Sequence, residues 1–141
     1  MIKQVYNPYL PLDEYIPDGE PHVFGDRIYI FGSHDREGGS TYCELDYTVY
    51  SAPVSDLTDW KCEGIIYRAV QDPHYCKERK QMYAPDVVQG ADGRYYLYYA
   101  LDFVNVISVA VCDTPAGQYE FLGYVTRADG SVPNIGRWFD P

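Results

Sequence analysis

One motif governs what this chain can fold into: it occurs twice in full and begins a third time. The stretch EPHVFGDRIYIFGSHD (residues 20–35) returns as APDVVQGADGRYYLYYALD (residues 84–102). Each copy reads x-Pro-x-Val, a Gly/Asp turn, an Arg, and an aromatic and β-branched run that stops before an Asp. The turns have a mechanism, because Gly25-Asp26 and Asp92-Gly93 supply the positive φ of a tight hairpin and are flanked by apolar residues. Each copy therefore opens with a hairpin.

The second half of each unit also recurs. Tyr47 to Ser51, Pro53, then Trp60 and Gly64 run parallel to Val106 to Cys112, Pro115, then Tyr119 and Gly123. Each unit thus holds about four short strands. Runs such as Arg27 to Ser33, Arg94 to Ala100 and Val106 to Cys112 are short and bounded by turn residues, with no helical period. The fold class is all-β. Pro21 and Pro85 lie 64 residues apart, and Pro85 and Pro141 lie 56 apart. Four-stranded units repeated head to tail at this spacing predict β-propeller blades. The expected boundaries are blade one at 20–67, blade two at 84–126 and the start of blade three at 140–141. A two-sheet sandwich containing a duplication is the competing architecture. Because propellers close with about four to eight blades, the ring is expected to be unfinished, with exposed blade faces that favour self-association.

Composition narrows the function classes. The 141 residues include 16 Tyr, and 21 acidic residues against 11 Lys and Arg give a net charge of -10. Such a surface repels a phosphate backbone or an anionic membrane, so neither nucleic acid nor membrane is an expected partner. Neutral polar substrates fit better. No apolar run approaches the roughly 20 residues of a membrane span, and the first residues lack the apolar core of a secretion signal, which predicts a cytoplasmic protein. Cys43, Cys62, Cys76 and Cys112 show no C-x-x-C or zinc spacing and are expected as free thiols. No metal site is expected within the chain. The absence of Gly-rich phosphate loops and of H-E-x-x-H or G-x-S-x-G motifs counts against nucleotide, zinc-protease and serine-hydrolase chemistry.

In a propeller the first strand of each blade lines the axis, so Glu20, Ala84 and Asp140 are expected to converge at one mouth. Two carboxylates in one funnel suit hydrolysis of a glycosidic bond, which needs a base for water and an acid for the leaving oxygen. Acidic residues also cap turns, and Asp18 in Asp18-Gly19 fits that reading equally well. His22 alternates in phase with Phe24 and is expected to pack between blades. His74 falls in the charged connector 71–80, expected to be mostly solvated.

The segments NPYLP (7–11), IPDGEPHVF (16–24), YIFGSHD (29–35), MYAPDV (82–87) and WFDP (138–141), in that order and spacing, make the chain resemble glycoside hydrolase family 43 over nearly its whole length. The resemblance implies a five-bladed propeller that hydrolyses arabinose- or xylose-containing oligosaccharides with inversion. It implies a base at the start of blade one, an Asp that tunes the acid's pKa at the start of blade three, and a Glu acid in a later blade. Asp140 matches the tuning residue. For the base, register with Pro21 favours Glu20 over Asp18. On this reading the chain alone is inactive, for want of the acid. Tyr83 matches the aromatic residue before Ala-Pro, where a ring would stack on a sugar, although it could equally wedge between blades. Asp86 could bind sugar hydroxyls or the strand end. His34 and Asp35 are substrate-binding candidates whose competing reading is a solvated turn. An axial Ca²⁺ in the complete propeller is implied, with no ligands evident among the three histidines; no other cofactor is expected. A non-catalytic, lectin-like propeller and a protein-interaction scaffold are the alternatives.

Overall fold

The computed structural model describes residues 8–78, 81–102 and 104–133. The first sheet contains β1 (Glu20–Phe24), β2 (Arg27–Phe31), β3 (Tyr47–Pro53) and β4 (Lys61–Tyr67). The second contains β5 (Met82–Gln89), β6 (Tyr95–Leu101), β7 (Ser108–Cys112) and β8 (Glu120–Tyr124). Both are antiparallel meanders with strands in sequence order, β1-β2-β3-β4 and β5-β6-β7-β8. A Greek-key sandwich would exchange strands between its sheets; here each repeat keeps its own four, as propeller blades do. A 3₁₀ turn, Ala69–Gln71, opens the connector between them. Among the described residues no helix is long and apolar enough to cross a membrane.

The two hairpins are built differently. Phe24 pairs with Arg27, leaving Gly25-Asp26 as a two-residue turn with Gly25 at φ 63°. In the second hairpin the strand ladder ends at Gln89 opposite Tyr95. Gly90 N–H then bonds to Arg94 O at 2.8 Å and Gly93 N–H to Gly90 O at 3.0 Å. The expected tight turn at Asp92-Gly93 is therefore the tip of a longer loop, because three residues rather than two lie inside the last backbone pair. The outer halves of the repeats do correspond in detail. Val49 pairs with Gly64 and Tyr50 with Cys62, while Val109 pairs with Gly123 and Ala110 with Phe121. Each outer strand thus carries a bulge beside its glycine, and at Gly64 the φ of 94° disfavours any side chain.

The core lies between the sheets. Period-two alternation turns Tyr29, Phe31, Tyr47 and Val49 of blade one toward Leu97, Tyr99 and Ala110 of blade two, and all are buried in one cluster. Tyrosine serves here because its ring fills the gap and its hydroxyl finds a partner. Tyr67 and Tyr99 share a hydrogen bond of 2.7 Å, and Tyr99 donates to the buried Asp72 carboxylate at 2.6 Å. Tyr47 donates across the interface to the Tyr83 carbonyl at 2.6 Å. Phe24 meets Tyr95 edge-on with centroids 4.9 Å apart. In the aligned repeats Tyr29 and Phe31 correspond to Tyr96 and Tyr98. Those two, with Val109, Leu122 and Tyr124, line an open groove of about 390 Å³ on the far face of blade two. The surface that blade two covers on blade one is thus repeated, open, on blade two.

Candidate active site

The residues before β1 cross the end of the first sheet as a strap. Its packing depends on the absence of a side chain at Gly32, where a Cβ would lie 2.6 Å from Ile16 Cγ2 and 2.8 Å from the Pro17 carbonyl. Asp35 N–H bonds to Tyr15 O at 3.0 Å and fixes the other side. At the end of the strap Asp18 adopts φ 54°, a left-handed conformation that Asp tolerates better than most residues. Gly19 and Glu20 come next.

Under the strap lies a polar network that sequence patterning does not reveal. The Glu14 carboxylate accepts from Tyr50 Oη at 2.5 Å and pairs with His34 Nε2 at 2.8 Å. His34 Nδ1 lies 2.8 Å from the Asp46 carbonyl. Both ring nitrogens of His34 therefore have hydrogen-bond partners, which fix the ring in place. Burial by itself would raise the Glu14 pKa, but the hydrogen bonds from Tyr50 and His34 and the charge of His34 outweigh it and hold the carboxyl below its ordinary range. His34 has a side chain only 14% exposed. It is therefore no solvated turn residue but the post that carries the strap. Nothing local marks Glu14 as its partner, since the contact joins positions 20 residues apart.

The loop between β2 and β3 folds back beside this strap. Cys43 sits in it at φ 55°, another left-handed residue, and is buried. Its N–H bonds to Asp35 Oδ1 at 2.5 Å, and its carbonyl accepts from Met82 N–H at 3.2 Å. Asp35 is thereby spent on holding the loop rather than standing in solvent. Cys43 packs with Tyr83 and Ala100 in a small cluster of its own. Burial pushes the Cys43 thiol up, and the nearby charges of Asp35 and Asp18 push in the same direction, so Asp18 stands within electrostatic reach of this cluster. The Tyr83 hydroxyl is likewise raised, first by burial and then by a hydrogen bond to Asp102. Asp18, Asp35, Cys43, Tyr83 and Asp102 thus gather at one end of the two blades.

The other expected site residues divide. Glu20 is exposed, opens the β1 ladder opposite Phe31, and shares the strand face of His22 and Phe24, which is the face turned to blade two. Asp86 Oδ1 accepts from Val87 N–H at 2.8 Å and lies 2.6 Å from His22 Nε2. Of the two readings for Asp86, this geometry favours the strand end, with an inter-blade partner added. His22 packs between the blades as expected, stacked on Phe24 at 5.8 Å. Tyr83 is 8% exposed, with its ring 6.0 Å from that of Tyr42. Asp140, and with it the expected start of a third blade, lies outside the described residues. Among the described residues no group of three or more His, Cys, Asp or Glu side chains is arranged to hold a metal ion. The implied axial cation therefore finds no fit there, and no catalytic step is assigned to one.

Known proteins resemble this chain in sequence and fold. The chain is 59% identical over its whole length to a xylosidase/arabinosidase of Thermoclostridium stercorarium, covering 31% of that protein. It is 37% identical to xylosidase/arabinosidase 43A of Humicola insolens, with 74% of this chain matching 34% of that one. The chain thus spans about a third of the length of these curated relatives. Among solved structures, the GH43_1 enzyme from Xanthomonas citri complexed with xylose superposes with a TM-score of 0.66 at 28% identity, covering 83% of this chain and 38% of that one. A GH43 β-xylosidase/α-arabinofuranosidase from a compost microbial metagenome, in complex with xylotriose, gives 0.64 at 28% identity over 83% of this chain and 41% of its own. The family profile of glycosyl hydrolases family 43 matches residues 7–141. Two meander blades, a strap of acidic residues across their shared end and this continuous match together make the chain a member of glycosyl hydrolases family 43.

Proposed function

We propose that these blades form part of a glycosidase that hydrolyses xylose- or arabinose-containing oligosaccharides with inversion, and that Asp18 is its general base. The observation that carries this reading is the left-handed Asp18 at the end of a braced strap, near the Tyr83 cluster. Backbone strain of this kind persists where surrounding structure over-determines it, and functional sites are where it concentrates. Asp18 is favoured over Glu20 because the face of β1 that Glu20 shares is turned to the neighbouring blade. The acidic surface suits a neutral polar sugar better than an anionic ligand.

Inversion needs a water between the base and a carboxylic acid about 6.5–9.5 Å away, which protonates the leaving oxygen. On this reading the acid comes from a later blade, and Asp140 raises that acid's pKa by like-charge repulsion. The open groove on blade two would pack against the next blade in the complete ring, or against a second copy where that blade is lacking.

The test is hydrolysis of aryl xylosides and arabinosides by the full-length polypeptide. Asp18→Asn is expected to lower kcat by about 10²–10⁴-fold, the usual contribution of a general base. Glu20→Gln should keep most of the activity. Loss confined to Glu20→Gln would move the base to that residue, and full activity in both variants would sink the assignment. Inverted stereochemistry of the first-formed sugar, read by NMR, checks the mechanism.

A further inference from the structure

Tyr50 departs from the pattern of the other buried tyrosines. Tyr47, Tyr67 and Tyr99 turn into the core between the blades, and their hydroxyls find partners there. Tyr50 is out of phase with Tyr47 and Val49 on β3, so it shares with Thr48 and Ala52 the face turned away from blade two. It is nevertheless only 7% exposed, and Thr48, Ala52 and Ile30 are buried with it. What lies over this face is the strap. Tyr9 meets the Trp60 ring with centroids 5.0 Å apart, a Cβ on Gly19 would lie 3.1 Å from Ile30 Cγ2, and Glu14 accepts from Tyr50 Oη. In the aligned repeats Ile30 corresponds to Leu97, which blade one covers. The strap thus occupies on blade one the place that blade one occupies on blade two.

An apolar side chain at position 14 would cover that face at less cost, because a carboxylate taken out of water needs partners to offset its desolvation. What the carboxylate adds is direction. Its two oxygens are held separately, Oε2 by Tyr50 from the middle of β3 and Oε1 at 2.8 Å from His34 Nε2 beyond the end of β2. His34 is itself tied at 2.8 Å to the Asp46 carbonyl, just before β3. Hydrogen bonds to a charged group are short, strong and angle-dependent, whereas the apolar contacts of Tyr9 and Ile16 tolerate sliding. The grip on Glu14 therefore fixes where the strap lies along the blade. Asp18 is four residues further on, just past Ile16 and Pro17, which pack against Gly32.

We infer that Glu14 is a positioning residue for the hydrolysis: gripped by Tyr50 and His34, it sets the register of the strap and so the place of Asp18, an assignment that rests on Asp18 being the base. A misplacement of about 1 Å in a catalytic site costs up to about 10²-fold in rate. Lying under the strap, Glu14 acts through Asp18 rather than on the sugar, so its loss lowers kcat and leaves KM near the parent value. Once Asp18 is removed there is no base left to place, and the two changes are not additive.

The experiment is steady-state hydrolysis of an aryl xyloside or arabinoside, whichever the parent turns over faster, by the full-length polypeptide at a temperature where every variant is folded. Glu14→Gln and Tyr50→Phe are each expected to lower kcat about tenfold with little change in KM. Glu14→Gln combined with Asp18→Asn is expected to be no slower than Asp18→Asn alone. His22→Ala, on the opposite face of blade one, is expected to keep the parent kcat. An unchanged kcat in Glu14→Gln and Tyr50→Phe, while Asp18→Asn loses activity, overturns the role of Glu14 and leaves the glycosidase reading standing. So does a combined variant slower than Asp18→Asn by the full Glu14→Gln factor, or an equal fall in His22→Ala, since either marks a general loss of structure. A raised KM at constant kcat would put Glu14 on the sugar and reject positioning. Parent-like kcat in Asp18→Asn overturns the base and, with it, the role given to Glu14; a parent that hydrolyses neither substrate overturns the glycosidase reading as well. Should Glu14→Gln fail to fold, Tyr50→Phe, which removes only the hydroxyl, decides the question in the same cycle with Asp18→Asn.

Discussion

His22 Nε2 lies 2.6 Å from Asp86 Oδ1, across the gap between the innermost strands of two blades and 64 residues away along the chain. That is the spacing of the repeat. The same carboxylate oxygen accepts from Val87 N–H, so Asp86 is held by its own strand before it meets the histidine. Beside the pair, Phe24 continues the contact by stacking on His22 and meeting Tyr95.

This clasp predicts coupled effects on stability. The two side chains are 33% and 45% exposed, so solvent screens the interaction and each single change to Ala is expected to cost only about 0.5–1.5 kcal/mol. The double variant should cost less than the sum of the two. Urea denaturation of the single and double variants measures this, and strict additivity would show that the contact contributes nothing.

Gly32 links packing to the site. Any Cβ there would meet Ile16, the Pro17 carbonyl and, at 3.2 Å, the Gly19 Cα, which are the residues around Asp18. The Gly32→Ala variant is expected to lose about 1–3 kcal/mol through overpacking. In the full-length polypeptide it should also lose more hydrolytic activity than its stability change explains, because the strap carrying Asp18 must move. Thermal unfolding and kcat measured together separate these effects.

Glu14 gives a pH dependence whose sign follows from its depressed pKa. A carboxyl held below its unfolded value of 4.5 contributes stability that is fully present above that pH and is lost as pH falls through the folded value. Glu14→Gln cannot carry the charge. The variant is expected to be less stable than the parent near neutral pH, with the difference shrinking below about pH 4.5. Chemical denaturation across that range checks it, and a constant difference at every pH would mean that the pair with His34 is not ionic.

How far the fold is legible in the sequence is clearest in the outer strands. Gly64 and Gly123, marked by the repeat alone, prove to flank equivalent bulges. The phase of His22 with Phe24 is enough to place it between blades. The hairpin of blade two is less legible, since Asp92-Gly93 has the composition of a two-residue turn and only the Gly90 to Arg94 backbone pairing shows the longer loop. The site is less legible still. His34-Asp35 has the pattern of an exposed turn because strand patterning ends there, and what buries it is the strap from residues 8–19 folding over it.

By itself, then, the sequence determined the all-β class, the four-stranded repeat and the family, because period-two patterning, turn residues and motif spacing are local or regularly repeated properties. Only the tertiary structure decided which acidic residues stand together. Glu14 with His34, Asp35 with Cys43 and Asp86 with His22 are hydrogen bonds between segments 8 to 64 residues apart. Their formation depends on how the strap and the β2–β3 loop fold across the blade ends, and no periodicity in the chain encodes that. The third start of the motif falls at Asp140, outside the described residues. The two complete copies, folded as stacked blades, carry the architecture on their own.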